Sequence, residues 1–276
     1  MEQVLKPMLE NVRAKTPLVH NITNYVTVND VANVLLAAGG SPIMSDDADD
    51  VEDITSICGG LNINIGTLNK NTIPSMFLAG RKANELGHIV LLDPVGAGAS
   101  RLRTDTANRL MQEVRFDAVR GNISEIKTLC TGSGSTKGVD ADAVDAVTEA
   151  NLDDGVQLVK TFAQRAGCIV AVTGAIDLVS DGERCWCIRN GRAEMSRITG
   201  TGCQLSALMT AFLVANPDHK LAAAAAAVCM MGLAGEIGWA NMQPGDGNST
   251  YRNRIIDAIF NMTGDALEEG AKYELR

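Results

Sequence analysis

The chain has 276 residues, 46% of them hydrophobic, enough to bury one sizeable core, and no Pro/Gly/Ser-rich linker divides it. A formal charge of −9 and a pI near 4.9 argue against nucleic acid as a partner, because an acidic body repels phosphate backbones. Seven cysteines, odd in number and scattered, form no CxxC pair or Cys/His cluster, so they read as reduced thiols of a cytoplasmic protein rather than zinc ligands. The first fifteen residues mix charges through their apolar positions, unlike a signal peptide. The uncharged stretch 198–217 is too polar to span a bilayer, and 221–235 is too short.

Apolar residues at helical spacing predict a helix over 3–13, followed by a short strand at 17–20. A helix over 28–38 is stopped by Gly39-Gly40, and 42–44 reads as strand. Helix 47–58, strand 61–65 and helix 72–86 follow, and 88–93 is the clearest buried strand in the chain. Residues 118–120 and 168–173 are two more strands. Strands alternating with helices give βαβ units and a mainly parallel sheet. Two alternating runs around Asp181-Gly182, over 178–188, read as a type I′ hairpin added antiparallel at one sheet edge. Segment 131–154, rich in Gly, Ser and Asp, reads as a surface connection with a short helix. The last 70 or so residues read as helices over 201–215, 219–241 and 249–270, with the alanine run 222–227 as a close-packed buried stretch. One domain, 1–276, is expected.

In parallel α/β sheets, ligands gather at the carboxyl ends of the strands. Polar or glycine-bearing segments follow several expected strands here: His20 to Asn24, Gly66-Thr67, Asp93 to Gly98, Gly121 to Glu125, and Thr173-Gly174. Thr199-Gly-Thr-Gly-Cys203 runs straight into a helix, so the amides of Gly200, Thr201 and Gly202 form a candidate anion hole of the kind that holds a phosphoryl group in flight. Cys203 at that helix start either takes a proton from an attacking hydroxyl, its pKa lowered by the helix, or packs as a small buried thiol. Asp93 leaves a buried strand, placed either for Mg²⁺ and its waters or to cap a turn. Arg120 suits phosphate and Glu125 suits metal-bound water; a surface ion pair is the other reading. The GxG after Asp93 lacks the spacing of a dinucleotide fingerprint. Of the three histidines only His20 falls near these segments, either touching a ligand or serving the fold.

These segments, in this order, resemble the hydroxyethylthiazole kinases, a ribokinase-like family of thiamine salvage. The resemblance covers nearly the whole chain through Pro17 to Val26, Ser41 to Met44, Asn64 to Thr67, Leu92 to Gly98, Arg120 to Asn122 with Glu125, Val172 to Gly174, and Thr199 to Cys203. It implies a ribokinase-like three-layer α/β/α fold with a mainly parallel central sheet and a small antiparallel edge. It implies ATP and Mg²⁺, with 4-methyl-5-(2-hydroxyethyl)thiazole as the phosphoryl acceptor, and a homotrimer with sites between subunits. By position, Met44 and Gly200 match substrate contacts, and Asn24 and Gly66 line the same pocket. Arg120 and Thr173 match ATP contacts, and Asp93 and Glu125 match the acidic pair near the metal. Cys203 stands where the wider ribokinase-like group has an aspartate base. Segment 131–154 looks longer than is usual in the family, and Pro244 to Tyr251 matches its Gly-Pro-Gly-Ser-Phe pattern loosely. Other readings are a kinase for a hydroxymethylpyrimidine or a vitamin B6 alcohol, a nucleotide-dependent dehydratase of hydrated nicotinamide cofactors, and a non-catalytic ligand sensor. Cysteine in place of aspartate after Gly-Thr-Gly argues against the first of these.

Overall fold

A computed structural model describes residues 3–132 and 146–276. Nine strands form one sheet: β1 (Leu18–Ile22), β2 (Ser41–Met44), β3 (Gly60–Asn64), β4 (Ile89–Asp93), β5 (Ala118–Asn122), β6 (Ile169–Thr173), β7 (Asp177–Ser180), β8 (Cys185–Ile188) and β9 (Tyr273–Leu275). Their order is β2-β1-β3-β4-β5-β6-β7-β8-β9. The pairings from β2 through β6 are all parallel, and the last three strands add antiparallel.

The helices between them are α1 (Lys6–Lys15), α2 (Val28–Ala38), α3 (Val51–Ile57), α4 (Thr72–Leu86), α5 (Arg101–Glu113), α6 (Ile123–Thr131) and α7 (Leu152–Ala166). After the hairpin come α8 (Thr201–Ala215), α9 (Lys220–Ala240), α10 (Asn248–Asn261) and α11 (Gly264–Gly270). The central strands are apolar throughout because both faces are covered. In β4, Ile89 and Leu91 face the layer built on α1, α8, α9 and α10, while Val90 and Leu92 face that of α4 to α7. This alternation of successive side chains makes the three-layer α/β/α sandwich. The helix Pro217–Ala240 is long and apolar enough to cross a membrane by composition, but 83% of its most apolar window is buried inside the protein. It is the central core helix, and the alanine run lets it lie close against its neighbours.

Most expected elements stand within two or three residues of their places, and α2, α4 and α8 match to the residue. Four differ. The loop between β7 and β8 is no type I′ turn: it has four residues, and only Gly182 takes a positive φ, of 98°. Asp181 Oδ1 accepts from the amides of Glu183 at 3.0 Å and Arg184 at 2.8 Å, so a side chain, not a left-handed dipeptide, closes the turn. The expected helix 249–270 is two, because Met262 is extended (ψ 123°) and Thr263 Oγ1 restarts the helix by accepting from Ala266 N at 3.1 Å. Tyr273–Leu275, for which no element was expected, pairs with β8 and stacks its Tyr273 ring on Trp186 with centroids 4.3 Å apart. In the expected connection 131–154, residues 133–145 lie outside the described part, and α7 begins at Leu152.

Helix α8 lies directly on β3 because Gly60 has no side chain: a Cβ there would stand 2.5 Å from Val214 Cγ2 and 3.0 Å from Thr210 Cγ2. Gly60→Ala should therefore destabilise by about 1–3 kcal/mol through overpacking. Val214→Ala in the same chain should recover part of that loss, and urea-unfolding midpoints of both variants measure it.

Candidate active site

The carboxyl ends of β1, β3, β4, β5 and β6 place a run of polar side chains under the start of α8. Register sets much of it, since Asn64 lies opposite Asp93 and Asn122 opposite Thr173. The Asn64 amide donates to Asp93 Oδ2 at 2.8 Å, and its oxygen accepts from Asn24 Nδ2 at 3.1 Å and from Gly66 N at 2.9 Å. Asn24 Nδ2 also reaches Cys203 Sγ at 3.1 Å, and Asn24 Oδ1 accepts from Thr27 Oγ1 at 3.0 Å.

Asp93 is fully buried. Its Oδ2 accepts from Ser206 Oγ at 2.8 Å and lies 3.5 Å from Arg120 Nη1. Burial pushes this carboxyl up, opposed by the Arg120 charge and the hydrogen bonds from Ser206 and Asn64. Its other oxygen, Oδ1, has no partner among the described residues. Arg120 Nη2 donates to Thr173 Oγ1 at 2.5 Å, so the guanidinium bridges the ends of β4 and β6. Glu125 completes a capping box on α6: Asn122 Oδ1 accepts from Glu125 N at 2.9 Å, and Glu125 Oε2 accepts from Asn122 N at 2.8 Å. Its Oε1 accepts from Gly96 N at 2.7 Å. Burial, then the Asp93 charge, raises Glu125 to about 7.

Gly200 caps α8 with φ 83°, a left-handed conformation, and a Cβ there would overlap Thr27 Cγ2. The amides of Thr201, Gly202 and Cys203 have no acceptor among the described residues, as expected of a first helical turn. A Cβ on Gly202 would lie 2.5 Å from Arg120 Nη1, so this glycine is what lets the guanidinium sit against the helix start. Met44 packs on the small apolar cluster that holds Cys203, and lines a cavity with Asn21, Tyr25, Asn64, Thr67 and Met76.

Thus the structure gathers Asn24, Met44, Gly66, Asp93, Arg120, Glu125, Thr173 and the segment Gly200 to Cys203 in one place. His20 is not a free ligand group. It is buried, with Nδ1 on Thr55 Oγ1 and Nε2 on the Ser45 carbonyl, both at 2.9 Å. His88 immediately precedes β4, at the amino ends of the strands, and His219 lies in the turn beyond the far end of α8. Sequence reading missed Asn64, Ser206 and Arg103, whose hydrogen bonds tie the site together. The first lay inside a quoted motif, and Ser206 falls four residues after Gly202 on α8, one turn along the same face.

One expectation is reversed. Cys203 is not acidified by its helix: burial, then the Asp93 charge, raises it to about 11, against the lowering effects of Arg120 and the two asparagines. The thiol is neutral at physiological pH. Its position can hold a hydroxyl by hydrogen bonding, but it is a weak base.

A buried acid pair, a guanidinium and a glycine-capped helix start, set together at the carboxyl edge of a parallel sheet, define an α/β phosphotransferase. The family model for the hydroxyethylthiazole kinase family matches residues 9–265. A hydroxyethylthiazole kinase of Clostridium acetobutylicum is 56% identical over 98% of this chain and 99% of its own. That of Ruminiclostridium cellulolyticum is 48% identical over 96% and 95%. A solved hydroxyethylthiazole kinase from Pyrococcus horikoshii superposes with a TM-score of 0.88 at 32% identity, covering 100% of both chains. The pyridoxal kinase of Staphylococcus aureus, solved with AMP-PCP and pyridoxal, shares the ribokinase-like fold alone, with a TM-score of 0.61 at 14% identity. The chain belongs to the hydroxyethylthiazole kinase family.

A neutral, buried Cys203 should alkylate at pH 7.5 at least about tenfold more slowly in the native protein than after unfolding in urea, and faster as pH rises toward 11. Mass spectrometry of iodoacetamide-treated protein checks it; native labelling as fast as unfolded would refute it.

Proposed function

We propose that this chain phosphorylates the hydroxyl of 4-methyl-5-(2-hydroxyethyl)thiazole from ATP with Mg²⁺, giving the thiazole phosphate and ADP. Family membership supports the reaction. The observation that carries the mechanism is the meeting of the free Thr201, Gly202 and Cys203 amides with Arg120 and Asp93 at one helix start.

In this reading the thiazole ring lies in the cavity against Met44, and Asn24, Asn64 and Gly66 shape the wall next to it. Its hydroxyl points at Cys203 and the start of α8. The nucleotide lies beyond Arg120 and Thr173, with its γ-phosphoryl against the free amides of α8. These amides and the guanidinium face the equatorial oxygens, where charge collects as the phosphoryl moves. Asp93 and Glu125 fit a divalent cation held partly through water. Asp93 Oδ1 is buried and unpartnered, while both Glu125 oxygens already accept backbone amides. No cluster of three His, Cys, Asp or Glu exists among the described residues, which suits an ion bound mostly by phosphate and water. When bound, Mg²⁺ supplies charge neutralisation across the phosphates. The hydroxyl proton passes to solvent or to the transferred phosphoryl rather than resting on a thiol of such high pKa.

Tyr25, which lines the cavity, is 76% exposed, and Val26 next to it in the chain is 59% exposed. This supports a homotrimer in which a neighbouring subunit closes the site. All seven cysteines are free, which supports a cytoplasmic location.

A coupled ADP-release assay with the thiazole alcohol should show turnover that requires Mg²⁺. A panel including hydroxymethylpyrimidine, pyridoxal and hydrated NADH should be turned over poorly; preference for any of them would overturn the substrate assignment. In the same assay Cys203→Ala should lose about tenfold in kcat and Gly202→Ala at least about a hundredfold, because the added methyl displaces Arg120. A fully active Gly202→Ala enzyme would remove the anion hole from the mechanism.

A further inference from the structure

Arg103, in the first turn of α5, is not one of the residues that line the cavity, and it pairs with no carboxylate within 4.0 Å among the described residues. Its guanidinium instead spans two loops of the site. Nη2 donates to the Gly66 carbonyl at 2.7 Å, in the loop after β3, and Nη1 donates to the Val95 carbonyl at 3.2 Å, in the loop after β4. The second contact matters because of what lies at the other end of the same peptide unit. The Val95–Gly96 peptide accepts from Arg103 through its carbonyl and donates through the Gly96 amide to Glu125 Oε1 at 2.7 Å. Arg103, that peptide and the Glu125 carboxylate thus form one hydrogen-bonded chain, in which the cation polarises the peptide and strengthens its far N–H as a donor.

The backbone is shaped for this. Gly96 has φ 74°, and a Cβ there would overlap Arg103 Nη1, so only glycine gives both the turn and room for the guanidinium. The neighbouring side chain on α5 anchors the same loop, Thr104 Oγ1 accepting from Gly98 N at 2.9 Å, and Ser100 Oγ caps the helix by accepting from Arg103 N at 3.3 Å. On the other side, the Gly66 amide is held by Asn64 Oδ1, and Thr67 lines the cavity.

We propose that Arg103 is a positioning residue for phosphoryl transfer: its guanidinium locks the acceptor-side loop at Gly66 to the Val95–Gly96 peptide that orients Glu125, so that the two halves of the site hold one register. This rests on the kinase reading above. A guanidinium is required because two carbonyls in different loops must be met by a planar fork; a lysine ammonium reaches one of them.

The test compares Arg103→Ala, Arg103→Lys and Gly96→Ala with wild type, using whichever alcohol the wild type phosphorylates best. An inactive wild type would defeat the kinase reading, whereas the variant ratios and direct calorimetry of alcohol binding bear on Arg103 alone. Arg103→Ala should lose about a hundredfold in kcat and raise the KM and calorimetric Kd of the alcohol several-fold, the scale expected of a displacement of about 1 Å. Its melting temperature should stay near wild type, and millimolar guanidinium chloride should restore at least about a tenth of the lost kcat by refilling the cleft. Arg103→Lys should fall between, and Gly96→Ala should match Arg103→Ala without responding to guanidinium. Wild-type kcat and KM in Arg103→Ala would overturn the proposal. So would a loss that tracks a large fall in melting temperature and is not relieved by guanidinium, since that is the behaviour of a residue that only holds the fold.

Discussion

The ion pair between Asp93 and Arg120 is the constraint on which the site is built. A carboxylate with no solvent exposure is costly unless every lone pair is answered. Here Asn64, Ser206 and Arg120 answer one oxygen and leave the other open. Each of those partners comes from a different element: β3, α8 and β5. Satisfying one charge therefore fixes the ends of three elements relative to a fourth. Arg120 extends the constraint to β6 through Thr173, and it can do so only because residue 202 is glycine. The polar network explains why the carboxyl edge of the sheet holds together, although much of it is short loop rather than packed apolar surface.

Glu125 shows how chemistry and architecture share atoms in this fold. Its backbone and side chain complete the capping box that starts α6, and its second oxygen grips the loop after β4. The carboxylate is thus fixed before any ligand arrives, which is the economy that phosphoryl transfer rewards, since the reaction needs position and charge more than covalent participation.

Much of this was legible in the chain itself. The buried strand ending at Asp93, the βαβ alternation and the glycine-rich entry to α8 follow from periodicity and turn chemistry, and the element boundaries fall within two or three residues of expectation for most of the sheet. What escaped depends on distance in space. Asn64 is an unremarkable polar residue at the end of a strand until parallel register sets it opposite Asp93. The strand Tyr273–Leu275 has three residues and no local pattern; its existence comes from pairing with β8 and from stacking on Trp186. The break at Thr263 escaped because helical spacing continues on either side of it, and only the structure shows its hydroxyl accepting from Ala266 N to start a second helix. The acidity expected for Cys203 failed because a helix start is a local signal, and the opposing terms, burial and the Asp93 charge, come from elsewhere in the chain.

The neutral sulfur at position 203 has a bearing on how such a pocket can vary. Two acids already crowd the space, both held above their ordinary titration range, with the Arg120 cation beside Asp93. An aspartate in place of the thiol would add a third anion to a region of low polarizability, beside a guanidinium already shared with Asp93. A chain adopting such a base would have to import a further positive group or open the pocket to water, so the residue at 203 and the electroneutrality of its surroundings can change only together.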